Sequence, residues 1–331
     1  MNFRSYSDLM TTLAVWQETL PRDFDLVCGV PRSGLMVASL MALQWNLPVT
    51  DVLNLAEGKL LTGGRRLAMK DEELNRFFDT PRHILVVEDS VAGGAGIRKA
   101  RTQLAAMGRK HRIQYAAVFA APEGRSSVDF AAETVMMPRV FEWNLFHHPL
   151  LNDACVDIDG VLCRDPSDEE NDDGPRYKEF LRTAPPRFLP SEEIGWLVTS
   201  RLEKYRPETE EWLHRNGVRY RELLMLDLPD MWTRRNTGAG VTFKAEQYRR
   251  TGACLFIESD KQQAAQIAER AGNHVIATDS MEMLSPTGVV GTALRARQDL
   301  SSRARIASSW PHRAVRFARR YLAATRTNLQ P

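Results

Sequence analysis

Three places in the chain put reactive side chains directly after an apolar run, where a parallel strand would deliver them to a crevice. Residues 84–96, ILVVEDSVAGGAG, set Glu88 and Asp89 after one such run. Small residues follow, then a helical spacing of Ile97, Ala100, Leu104 and Met107, closed by Gly108. Adjacent carboxylates can hold the hydroxyls of a ribose, or Mg²⁺ through water. A small-residue turn at a helix N-terminus lets backbone N–H groups approach a phosphate. Residues 154–162, ACVDIDGVL, set Asp157 and Asp159 after a second run, and Gly160 turns the chain at once. Carboxylates at that spacing can divide the labour of phosphoryl transfer. One attacks phosphorus; the other protonates the leaving oxygen and later activates water. The third place is 24–34, where a short run enters Val30, Pro31, Arg32, Ser33 and Gly34 before a helix to about Trp45. This is either a further phosphate loop or a plain Pro-Gly connection.

Side chains so placed need open parallel sheets to hold them. An amphipathic helix over 5–20, with Leu9, Leu13 and Trp16 on one face, covers the first sheet. Runs at 24–29, 84–87, 113–120 and 134–137 build that sheet of about five strands. Residues 54–70 have little periodicity but carry Lys59, Gly63, Gly64, Arg65, Arg66 and Lys70, and read as a mobile lid or as a solvated basic loop. The aromatic stretch 141–148 leads into a second domain, with His147 and His148 as junction packing or acceptor contacts. There, 196–201 (WLVTSR) ends a strand in Thr199 and Ser200, and Lys244 stands at the start of a helix. The run 254–260 (CLFIESD) ends in Glu258 and Asp260. The acidic run 165–173 reads as a solvated loop, and too little chain precedes 196 for a large cap.

The run 84–96 resembles the phosphoribosyl-pyrophosphate (PRPP) motif of type I phosphoribosyltransferases. The resemblance implies that Glu88 and Asp89 hold the ribose 2- and 3-hydroxyls. It assigns the 5-phosphate to Ser90, Ala92, Gly93, Gly94, Ala95 and Gly96, and the pyrophosphate to Arg32, Ser33 and Gly34. A lid with Lys59, Arg65 and Arg66 would close over PRPP and exclude water. Two positions depart from the pattern: Ala92 stands where purine-specific members carry an acid, and Gly96 where the loop closes with Thr or Ser. The second half resembles the haloacid-dehalogenase (HAD) superfamily of phosphatases. That implies Asp157 as nucleophile, Asp159 as acid and base, Thr199 on the phosphoryl oxygen and Lys244 (Lys204 the rival) as the neutralising lysine. It also implies Mg²⁺ held by Asp157, Asp159, Glu258 and Asp260. The fold implied is α/β: a phosphoribosyltransferase-like domain at 1–150, a HAD-like Rossmannoid domain at 151–285, each on an open mainly parallel sheet, and a basic helical tail at 286–331.

Composition sets outer bounds. The chain has 331 residues, 43% hydrophobic and 26% charged, long enough for two cores. A formal charge of +2 is too small for a general nucleic-acid binder. Cys28, Cys155, Cys163 and Cys254 lack metal-type spacing and read as reduced thiols. The first residues lack an apolar signal core, so a cytoplasmic protein is expected. The tail, rich in arginine with interleaved Trp310, Phe317 and Tyr321, suits the inner face of an anionic membrane, the protein body or a second subunit.

The two resemblances constrain one another. A phosphatase beside a phosphoribosyltransferase is useful when the wanted product is an unphosphorylated ribosyl group. The fusion is similar to the PRPP-dependent ribofuranosyltransferase and phosphatase pairs of bacterial polysaccharide assembly. It implies transfer from PRPP to a glycan, lipid-linked if the tail meets a membrane, followed by removal of the 5-phosphate. Nucleobase salvage, or a PRPP-sensing module regulating a phosphatase, are the other readings; Asp51 or Glu57 could serve as a base for the acceptor.

Overall fold

The computed structural model describes residues 1–61, 67 and 70–289. Arg65, Arg66 and the lid centre, like the basic tail from 290 onward, lie outside the described residues. The chain divides into two compact units, Met1–Leu151 with Pro190–Glu192, and Asn152–Leu189 with the chain from Glu193 on.

In the first unit β1 (Asn2–Arg4) precedes α1 (Tyr6–Trp16). Ser5 starts that helix: its side chain accepts from Asp8 N, and the Asp8 carboxylate takes Ser5 N in return. Then come β2 (Leu26–Gly29), α2 (Ser33–Trp45), β3 (Val49–Asp51), α3 (Val52–Ala56) and α4 (Asp71–Asn75). They are followed by β4 (His83–Val91), α5 (Ala95–Gln103), β5 (Arg112–Ala120), β6 (Phe130–Thr134) and β7 (Arg139–Phe141). The sheet has the order β3-β2-β4-β5-β6, with every pairing parallel. Both its faces are covered, so the central runs of β2, β4 and β5 are apolar. Leu85 and Val87 pack with Val37 and Met41 on one face; Ile84 and Val86 pack with Ile97 and Ala100 on the other. β7 leaves this sheet and pairs with β1.

Two expected boundaries move. β4 does not stop at Val87 but continues beside β5 to Val91, so Glu88, Asp89 and Ser90 lie within the strand. The expected strand at 134–137 is displaced, because β6 ends at Thr134 and leaves Met136 and Met137 exposed ahead of Pro138, which biases the residue before it.

The second unit contains β8 (Ala154–Val156), α6 (Pro175–Thr183), β9 (Ile194–Leu202), α7 (Arg206–Arg215), β10 (Tyr220–Leu226) and α8 (Met231–Thr237). It continues with α9 (Ala239–Thr251), β11 (Leu255–Glu258), α10 (Lys261–Ala271), β12 (Val275–Ala277), β13 (Glu282–Ser285) and β14 (Gly288–Val289). The order is β10-β9-β8-β11-β12-β13-β14, parallel as far as β12 and antiparallel at the last two strands. The α/β class with two mainly parallel sheets therefore holds.

Each sheet reverses its winding once. In the first unit the chain runs outward from β2 to β3 and returns to the other side of β2 for β4. In the second it runs from β8 out to β10 and returns beside β8 for β11. Loops leaving neighbouring strands at such a point diverge and open a crevice at the carboxyl ends. The three places singled out by residue type follow β2, β4 and β8, beside these two crevices.

Candidate active sites

At the first crevice, Gly34 brings the loop after β2 hard against β4: a Cβ there would meet Val87 O at 2.7 Å and Glu88 Cα at 3.0 Å. Ser33 is thereby brought to Asp89, its Oγ donating to Oδ1 at 2.6 Å. Trp143 Nε1 donates to the other oxygen at 2.8 Å. Side chains alternate along a strand, so Glu88 turns to the opposite face. Its Oε1 lies 2.8 Å from where a Cβ on Gly96 would stand, against the first turn of α5. Burial pushes the Glu88 acid up to about 7, helped by Asp89 and opposed by Arg139. Ala92, Gly93, Ala95 and Gly96 are exposed around this turn, and Gly94 adopts φ 79°, a left-handed conformation that favours glycine. Ser90 sits back inside β4, away from the turn itself.

Arg32 is exposed. Lys59 is exposed and paired with Glu57 at 2.6 Å. Asp51 caps α3 by accepting from Leu53 N and Asn54 N. Neither Asp51 nor Glu57 is therefore a free base. Arg139, Phe141 and Trp143 complete the crevice without having been singled out. Arg139 is only 5% exposed, and its Nη1 has no hydrogen-bond partner among the described residues. Burial lowers the Arg139 pKa, against the pull of Asp89, Glu123 and Glu88. The Phe141 and Trp143 rings stack at 4.9 Å.

At the second crevice Lys244, on α9, reaches between the ends of β8 and β11. Its Nζ donates to Asp157 Oδ2 and to Glu258 Oε2, each at 2.7 Å, with all three side chains buried. Lys204, the rival, pairs with Asp173 at 3.0 Å and takes no part. Thr199 is buried on β9 and lines a cavity of about 430 Å³ with Asp157, Asp159, Lys244 and Glu258. Arg201, two residues further and so on the same face of the strand, grips Asp159 through Nε at 3.1 and 3.2 Å and Nη2 at 2.7 Å. Burial alone would raise Asp159, but Arg201 more than offsets it and holds the carboxyl below its usual range. Asp159 is thus held ionised, and the expectation that it gives a proton to the leaving oxygen runs against that direction. Asp165, like Asp157, is a pocket acid whose surroundings favour the proton, raised by desolvation and by Asp159 and Glu258. Gly160, at φ 72°, makes room for it: a Cβ there would meet Asp165 Oδ2 at 2.6 Å.

A divalent cation has a chemical place in this pocket. Asp157 is raised chiefly by burial, with Lys244 opposing and Glu258 and Asp159 adding to the rise. Hard oxygen donors suit Mg²⁺. Asp157 and Glu258 are the residues that would share it, although no three acids among the described residues converge closely enough to form a ready cage. Asp260 does not join them, because its side chain caps α10 by accepting from Gln263 N at 2.7 Å. The Asp159 carboxylate is taken by Arg201. The four cysteines are free thiols, and no described helix is long and apolar enough to cross a membrane.

No protein-family model matches the chain, and no curated protein is significantly similar to it. Among solved structures, a xanthine-guanine-hypoxanthine phosphoribosyltransferase of Helicobacter pylori aligns at 16% identity over 44% of this chain and 93% of its own, with a TM-score of 0.33. A purine phosphoribosyltransferase of Pyrococcus horikoshii aligns at 17% identity over 43% and 92%, TM-score 0.32. An orotate phosphoribosyltransferase of Aeropyrum pernix aligns at 18% over 39% and 70%, TM-score 0.28. Likeness at these values assigns this chain neither a family nor a substrate.

Two measurements check the electrostatics of these sites. Carboxyl ¹³C titration by NMR should place Glu88 near 7, and Arg139→Gln should move the midpoint upward by removing the opposing cation; a midpoint at the ordinary 4.5 in both proteins would refute the burial of this acid. Lys244→Met should cost about 3 kcal/mol in urea unfolding at pH 8, because it strands buried carboxylates. The raised Asp157 acid binds protons more readily folded than unfolded, so its charge costs stability as pH rises and the loss should shrink at pH 5. Equal losses at both pH values would contradict this balance.

Proposed function

We propose that this protein is a two-step enzyme that transfers ribofuranosyl 5-phosphate from PRPP to a glycan hydroxyl with inversion and then removes the 5-phosphate. The observation that carries the reading is the buried Asp157–Lys244–Glu258 set on a cavity of about 430 Å³, in the same chain as a carboxylate and small-residue crevice. A cavity of that size accommodates a phosphorylated pentose.

In the first unit, Glu88 and Asp89 are proposed to take the ribose hydroxyls, and the turn from Ala92 to Gly96 the 5-phosphate. Arg32, Ser33 and Gly34 are proposed for the pyrophosphate, with Lys59, Arg65 and Arg66 nearby in sequence. A carboxylate has several acceptor positions, so Asp89 can keep Ser33 and Trp143 and still accept a hydroxyl. Glu88, pushed up to about 7 by burial, can meet a hydroxyl in either state, donating and accepting when neutral and only accepting when ionised. The chain carries Ala92 where a base-contacting acid would be expected in a purine enzyme, which favours a sugar acceptor.

In the second unit, Asp157 is proposed to attack phosphorus, with Lys244, which donates to its Oδ2, neutralising charge as it does so. Thr199, in the lining of the cavity, is proposed to bind a phosphoryl oxygen. The ribose oxygen is proposed to leave with a proton from Asp165, which lines the same cavity and is raised by burial, and Asp159, ionised beside Arg201, to take the proton of the water that then releases phosphate from Asp157. Mg²⁺ shared by Asp157 and Glu258 would supply positive charge to the phosphoryl group.

Asp157→Asn separates the two steps. Incubated with PRPP, Mg²⁺ and a lipid-linked glycan extract, the variant should accumulate a phosphoribosyl glycan that mass spectrometry detects, and the wild type its dephosphorylated form. An adduct on an added nucleobase instead of the glycan would replace this reading with salvage.

A further inference from the structure

Asp89 is 4% exposed and meets a hydrogen-bond donor on each carboxylate oxygen. Ser33 Oγ donates to Oδ1 at 2.6 Å, and Trp143 Nε1 donates to Oδ2 at 2.8 Å. With both oxygens engaged, the carboxylate cannot turn about its own axis without breaking one of these bonds. Glu88, the neighbouring acid, is governed by burial and by nearby charge, and no donor among the described residues fixes it in the same way. One acid of the pair therefore has a set direction and the other does not.

The indole is itself held in place. Its ring stacks on Phe141 at 4.9 Å and 18°, lies 6.3 Å from Phe119 at 22°, and meets Tyr6 at 5.6 Å and 44°. Phe119 comes from β5, Phe141 from the end of β7 and Tyr6 from the start of α1. Tyr6 N also donates at 2.7 Å to Glu142, the residue before Trp143. Elements far apart in sequence thus place the indole without help from Asp89, and aromatic contacts of this kind have geometric preferences of their own. The half-buried ring therefore imposes its direction on the carboxylate. Packing alone does not require tryptophan here: phenylalanine would continue the stack, and an indole N–H has only one hydrogen to place, which water or a backbone carbonyl would also take.

Resting on the reading that Asp89 holds a ribose hydroxyl of PRPP, we propose that Trp143 is a positioning residue of the transferase step, whose N–H orients the Asp89 carboxylate before PRPP arrives and stays on it afterwards. Calorimetric titration of the full-length protein with PRPP and Mg²⁺ tests this in the wild type, Trp143→Phe, Trp143→His, Asp89→Ala and the Trp143→Phe/Asp89→Ala pair. Trp143→Phe keeps a ring in the stack and loses only the donor, and should weaken PRPP about tenfold, the size of one hydrogen bond to a charged group. Trp143→His, which keeps a ring N–H, should recover part of that loss. In the Asp89→Ala background Trp143→Phe should change the affinity less than about twofold, since no carboxylate is left to orient. Undiminished affinity in Trp143→Phe, or the same tenfold loss with Asp89 already removed, overturns the inference alone. A second measurement needs no variant at position 143: the indole ¹⁵N–H signal that Asp89→Ala displaces should stay protected from hydrogen exchange when PRPP binds the wild type, and loss of that protection also overturns the inference. A wild type that binds no PRPP overturns the transferase reading, and the inference with it.

Discussion

The whole arrangement depends on one topological constraint: an open parallel sheet that reverses its winding leaves a crevice at the carboxyl ends of two neighbouring strands. Both units meet that constraint, between β2 and β4 and between β8 and β11. Nothing else in the fold brings Ser33 to Asp89, or Asp157 to Glu258, across such distances in sequence. Small residues then decide how close the walls come, as Gly34 does against Val87 and Gly160 does beneath Asp165.

Buried charge is what distinguishes the two crevices. In the second unit Lys244 is shared by two acids and Arg201 is spent on a third, so the carboxylates are fixed in place. Pairs of this kind stabilise little by themselves but are expensive to break, which makes the geometry rigid. In the first unit the balance is looser. Arg139 is buried with an unused donor while Glu88 and Asp89 face opposite sides of their strand. A ligand carrying both hydroxyls and phosphate would satisfy donors and acceptors that the protein leaves open.

Much of this was legible in the sequence because it is local. A carboxylate after an apolar run, followed by glycine, marks a strand end whatever surrounds it, and Ser5 with Asp8 marks a helix start. What failed was set by distant partners or by a competing local role. β4 outruns its apolar core because β5 continues beside it, which moved Ser90 into the strand. Asp260 caps α10 through one carboxylate oxygen, as an acid before a helix commonly does, and is not among the residues that line the cavity. Arg201 shares the strand face of Thr199, so period-two spacing could have found it. Arg139 and Trp143 offered no such signal, since β7 is placed by pairing with β1 at the far end of the unit.

The most direct measurement of the central claim is the simultaneous time course of pyrophosphate and inorganic phosphate released by the wild-type protein from PRPP in the presence of a glycan acceptor. Transfer followed by dephosphorylation predicts equal final amounts, with phosphate lagging behind pyrophosphate and both dependent on the acceptor. Phosphate released with no lag, or pyrophosphate released without phosphate, would contradict it.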